Sequence, residues 1–143
     1  MFQQIQKLVK EFIKRIFKKS ISEEFLNVEI ELTENWTKYN NGNSIGKKGS
    51  EGGKILNDQE NINGARITIE ANVGNIPFAI TLGIYGLIVH TEFFSEIEIA
   101  TEYFKRKKNE IDRILKMFEI PEDNQDAEWE DKKYEYLEKL MYE

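Results

Sequence analysis

The chain has 143 residues, 40% of them hydrophobic and 32% charged, which suits one domain with a single core and no covalent staples. It contains no cysteine and one histidine, excluding disulfides, thiolate metal sites and any site built on two imidazoles. The longest apolar run, residues 76–89, is broken by Pro77, Thr81, Gly83 and Gly86 and is too short for a membrane span, and no secretory signal is expected at the basic N-terminus.

Charge is segregated along the chain. Residues 1–20 carry six basic groups and one acid, Glu11, giving +5, whereas residues 119–143 carry ten acids and three lysines, giving −7. With a total of −6 the middle is −4, so either the ends meet or each faces a charged partner.

Phe2, Ile5, Leu8, Val9, Phe12, Ile13, Ile16 and Phe17 recur at three- and four-residue steps, with glutamines and lysines between them. This spacing predicts an amphipathic first helix. Leu26, Val28, Ile30 and Leu32 alternate with polar residues and predict a half-buried strand. Residues 34–63 are rich in Asn, Gly, Lys and Ser and show no sustained period. So long a loop fits either a mobile functional loop or a short strand hidden near residues 54–57, and the composition favours a mobile loop over 40–53.

Alternation resumes through Ala65, Ile67, Ile69, Ala71 and Val73, and again from Phe78 to Ile84, with Gly74-Asn75 as a hairpin turn. No polar turn follows before Phe94, so Gly83 and Gly86 read as a bend or bulge in one long strand. Ser95 and Glu98 are spaced as a capping box for a helix that buries Ala100, Phe104, Ile111 and Ile114 and stops at Pro121. A last helix begins near Asp126. The expected order is α-β-β-β-α-α: an α+β fold with an antiparallel sheet of three to four strands and helices on one face, in a single domain spanning residues 1–143.

No catalytic or metal centre assembles from spacing alone. His90 shares a strand face with Glu92, the only acid/base pairing on offer, and no third ligand or geometrically supported hydroxyl among Ser44, Ser50 and Thr91 completes it. The stretch 42–48 departs from a phosphate-binding loop, with three residues between its glycines and Lys48 where a hydroxyl belongs. Glu29, Glu31 and Glu70 are candidates for a carboxylate cluster, although charged residues belong on the open face of any sheet. The first helix fits an anionic membrane surface or simple packing on the sheet; nucleic acid is disfavoured in an acidic chain. Lys105-Arg106-Lys107-Lys108 reads as a solvated turn.

The acidic end is more informative. Glu128, Asp131, Glu135 and Glu138 are interleaved with Trp129 and Tyr134, combining negative charge with aromatic area as protein-binding surfaces do. These six are the candidate partner-binding residues, and a core-packed helix with a charged outer side is the plainer alternative.

Gly83-Ile84-Tyr85-Gly86, His90-Thr91, Phe93-Phe94 and the helix carrying Ala100-Thr101-Glu102-Tyr103 form a glycine-bent strand running into a capped helix. Over residues 65–118 this resembles small bacterial proteins of unassigned function, some labelled immunity proteins of polymorphic or contact-dependent toxin systems. The resemblance implies a non-enzymatic role, masking a toxin through a tight, charge-complementary interface, and it carries over no binding residue. The absence of cysteine fits a cytoplasmic location, no cofactor is expected, and the acidic surface fits a basic protein partner.

Overall fold

The computed structural model describes residues 1–12 and 28–143. Five strands form one antiparallel meander: β1 (Trp36–Lys38), β2 (Lys54–Asn61), β3 (Ala65–Val73), β4 (Ile76–Ile84) and β5 (Ile88–Phe94), paired in chain order. Helix α2 (Ile97–Met117) and helix α3 (Ala127–Tyr142) follow, and residues 2–12 form the described part of α1. The fold is α+β with an antiparallel sheet, an N-terminal helix and two C-terminal helices, the sheet having five strands rather than three or four.

Alternation explains the core. Ala65, Ile67, Ile69 and Ala71 of β3 pair with Ile84, Leu82, Ile80 and Phe78 of β4, so all eight point to one side of the sheet. There they meet Ala100, Phe104, Ile111 and Ile114 of α2 and Leu137 and Leu140 of α3. Burying each large aliphatic chain contributes about 1.5–3 kcal/mol.

Two expectations about strands change. The segment 26–32 is no strand in its described part, residues 28–32. Its carbonyls are taken by side chains instead: Asn57 Nδ2 donates to Val28 O (3.1 Å), Gln59 Nε2 to Ile30 O (3.0 Å) and Lys108 Nζ to Glu31 O (2.7 Å). Ile30 is buried all the same, which is why the segment alternates like a strand. The hidden strand near 54–57 is present and runs on to Asn61, and it is easily missed because its helix-facing positions are Asn57, Gln59 and Asn61.

The second change concerns residues 76–94, which are a hairpin and not one bent strand. Ile84 pairs with Ile88 across the three-residue link 85–87, and Leu87 N donates to Ile84 O. Gly86 takes φ +75°, the positive angle that such a link needs and that glycine adopts without steric cost. Tyr85 and Leu87 flank it, so the turn carries no polar signature. The Gly74-Asn75 hairpin is as expected, with Val73 paired to Ile76.

At the start of α2 the capping box is not formed. Glu96 occupies the cap, and no side chain bonds the free N–H groups there. The helix ends at Met117, four residues before Pro121; α3 starts where expected and is capped by Asp126, whose Oδ1 accepts from Trp129 N at 2.9 Å. Lys107 and Lys108 are not solvated. Both face inward, Lys107 Nζ donating to Glu110 Oε2 (2.8 Å) and Lys139 O (3.2 Å). Their long apolar stems pack into the core while each ammonium reaches an acceptor.

The second sheet face is partly covered by the segment 39–53. Ser44 Oγ donates to Asp58 Oδ2 (2.8 Å), and Asp58 also accepts from Arg66 Nε and Nη2 (2.9 and 2.7 Å) and Thr68 Oγ1 (2.9 Å). Glu70, fully buried, accepts from the backbone N–H groups of Glu51 and Gly53 at 3.2 and 3.0 Å. A Cβ at Gly49 would overlap the Glu70 carboxylate, which would have to shift away from its two backbone donors. Gly49→Ala is therefore expected to cost about 1–3 kcal/mol, read as a lowered urea midpoint.

Burial raises the pKa of Glu70 above its ordinary 4.5, against the opposing pull of its two backbone donors. Its charged form is thus disfavoured by folding, and the stability it lends below pH 4.5 is lost as pH rises through the raised value. Glu70→Gln keeps the Oε1 acceptor and removes that titration. The melting temperature of the variant relative to the parent is expected to climb as pH rises through this window.

Candidate functional site

The acidic face of α3 is built by helical spacing. Residues advance about 100° each, so Glu128, Asp131, Glu135, Glu138 and Tyr142 fall within about a third of the circumference, with Tyr134 at its edge. All six are exposed, Tyr134 by 61% and Tyr142 by 75%. Trp129, Leu137 and Leu140 project from the opposite side into the core. Packing of those three residues aims the carboxylates outward.

The carboxylates differ in partnership. Glu130 is paired with Lys133 at 2.6 Å, and Glu128 lies 3.7 Å from Lys132 where both are largely in water. Asp131, Glu135 and Glu138 make no salt bridge among the described residues. A stripe of uncompensated negative charge is therefore held on a rigid helix.

Beside its N-terminal end is a cleft of about 370 Å³ where α2 hands over to α3, lined by Met117, Ile120, Glu128, Trp129, Lys132 and Tyr136 among others. Phe118 and Ile120 stand exposed at this corner, by 43% and 41%. An apolar recess edged by carboxylates suits an aliphatic or aromatic side chain presented from a basic surface.

Of the six candidate residues, the structure brings Glu128, Asp131, Tyr134, Glu135 and Glu138 to this surface. Trp129 is buried beneath that surface and contributes to the wall of the cleft. Its indole Nε1 donates to Met117 O at 3.0 Å and its ring meets Phe118 edge-on at 5.3 Å, so it locks α3 to the end of α2. The cleft at the α2–α3 corner was not visible in the sequence, because the irregular link through Pro121 carries no periodic signal.

The other candidates disperse. His90 Nε2 and Glu92 Oε2 are 3.0 Å apart on the helix-facing side of β5, and among the described residues no group of three His, Asp or Glu side chains is placed to hold a metal. Tyr103, close enough to Glu92 to feel its charge, has its hydroxyl pushed up to about 12, mainly by burial, and does not titrate near neutrality. Glu29 and Glu31 are exposed on the segment that docks onto the helix-facing side, while Glu70 is buried on the other side of the sheet, so the three form no cluster.

The 42–48 stretch belongs to the cover of the second sheet face, with Gly46 N bonded to Ile55 O at 2.8 Å. A wider groove of about 830 Å³ runs beside it over Arg66, Thr81, Gly83 and Val89. Its guanidinium is already occupied, bonded to Asp58 and stacked 3.5 Å above the Tyr39 ring. Over residues 2–12, α1 presents Phe2, Ile5, Leu8, Val9 and Phe12 to solvent. Ile13, Ile16 and Phe17 lie outside the described residues, and no described helix is long and apolar enough to cross a membrane.

Compared with known proteins, the chain matches no family model, no curated protein and no solved structure.

The contrast between Trp129 and Tyr134 is testable. Trp129→Ala is expected to cost about 3–5 kcal/mol of stability, as for other buried aromatics, whereas Tyr134→Ala should stay within about 0.5 kcal/mol, both read by chemical denaturation.

Proposed function

We propose that this chain is a non-enzymatic binding module whose acidic α3 face covers a basic protein partner, in the manner of an immunity protein that masks a toxin. The observation that carries this reading is the set of three unpaired carboxylates, Asp131, Glu135 and Glu138, in one outward stripe beside an apolar cleft. Charge of one sign on a rigid helix steers encounter with a surface of the other sign, and a neighbouring recess for an anchor supplies residence time. A nuclease toxin, with a surface made basic to hold nucleic acid, is the partner class that fits best.

Co-expression with the product of the adjacent open reading frame tests this reading. The two proteins are expected to co-purify, and the chain to protect the host cell. Asp131→Lys/Glu135→Lys/Glu138→Lys should slow association at least tenfold at low salt and leave the circular dichroism spectrum intact. Unchanged association by the charge-reversed variant would refute the assignment of the interface to α3.

A further inference from the structure

The two edges of the sheet are unequal. β1 is three residues long, and short edge strands resist pairing with other chains. β5 is seven residues, Ile88-Val89-His90-Thr91-Glu92-Phe93-Phe94, and contains no lysine, proline or bulge; its one acidic side chain, the helix-facing Glu92, is engaged by His90. One side of it pairs with β4. Among the described residues no other strand pairs with the outer side, and no backbone bond from a loop reaches it. Val89 is 78% exposed and Phe93 47%, both on the sheet face that α2 does not cover.

The sequence of this edge is complementary to itself. When β5 is laid antiparallel against a second β5 with Thr91 opposite Thr91, His90 falls opposite Glu92, Val89 opposite Phe93 and Ile88 opposite Phe94. Residues directly opposite share a sheet face, so each match is a real neighbour pair. Every cross-strand pair is then of a stabilising kind: an imidazole against a carboxylate, a β-branched residue against an aromatic ring twice over, and two threonines at the centre. The His90–Glu92 contact of 3.0 Å already present within one strand holds both groups on the same face, ready to be shared across the seam.

We propose that β5 is a homodimerisation edge, through which two copies of this chain join their sheets about a twofold axis at Thr91. The contact is isologous and closes on itself, giving a discrete ten-stranded sheet and no fibre. A single pair of seven-residue strands buries less than the roughly 1,600 Å² of a standard interface, so association in the micromolar range is expected. The inference is independent of the partner assigned to α3.

The chain has no cysteine, which makes the register directly readable by crosslinking. With Thr91→Cys, mild oxidation is expected to yield a disulfide-linked dimer, since the twofold axis sets position 91 against itself. Val89→Cys alone and Phe93→Cys alone should not crosslink, whereas a mixture of the two should. In sedimentation from low micromolar to sub-millimolar chain, the unmodified protein is expected to reach twice the chain mass. Val89→Lys should weaken the dimer at least tenfold and retain the monomer's circular dichroism spectrum, because Val89 is already in water. His90→Glu sets two glutamates against each other twice and should weaken it likewise, and His90→Glu/Glu92→His should restore it. A protein that stays monomeric throughout, or a dimer that crosslinks equally from 89, 91 and 93 and ignores Val89→Lys, would overturn the proposal.

Discussion

The architecture depends on a row of inward-facing amides, of which Gln59 and Asn61 are buried and Asn57 half-buried. Asn57, Gln59 and Asn61 project from β2 toward the helices, where a strand ordinarily presents aliphatic chains. An amide N–H taken from water without a partner costs about 1–3 kcal/mol, and each of the three NH2 groups is met, although Gln59 Oε1 is buried without a partner among the described residues. Asn57 and Gln59 find the carbonyls of Val28 and Ile30, and Asn61 Nδ2 donates to Asp112 Oδ1 of α2 at 3.0 Å, an oxygen that also accepts from the Trp36 indole at 2.8 Å. One polar row thereby fixes three things: the path of residues 28–32, the position of α2 over the sheet, and the attachment of β1.

The same logic sorts the charges. Lys107 and Lys108 are drawn inside because acceptors wait for them at Glu110, Lys139 O and Glu31 O, which ties α2 to α3 and to the segment before β1. Burial lowers the pKa of Lys108, opposed by the nearby Asp112 carboxylate, so this ammonium depends on its neighbours. On the outward side of α3, Lys132 stands near Glu128, while Asp131, Glu135 and Glu138 make no salt bridge among the described residues.

Legibility followed the apolar pattern. β3, β4, α2 and α3 were readable because Ile67, Ile69, Ile80, Leu82, Ile111, Ile114, Leu137 and Leu140 keep the period of their elements. β2 was not, since its inward residues are amides whose suitability depends on carbonyls contributed from elsewhere. Residues 28–32 deceived in the opposite direction: Val28 and Ile30 alternate into the core, yet their carbonyls bond side chains and no neighbouring strand. The 85–87 link was hidden by its two apolar flanks. Five of the six candidate residues on α3 lie on the exposed surface, and Trp129 does not, because an indole between charged neighbours looks the same in sequence whether it faces a partner or the end of α2.

The sequence by itself determined the class of fold, the antiparallel pairing of β3 with β4, the two C-terminal helices and the acidic character of the last one. Local periodicity and turn chemistry encode these, and both act between residues close along the chain. Tertiary structure alone decided which polar groups lie inside, that β5 has no strand paired to its outer side among the described residues, and that an apolar cleft adjoins the carboxylates of α3. These rest on hydrogen-bond partners and surfaces contributed by residues distant in the chain, and no window of sequence contains both halves of such a contact.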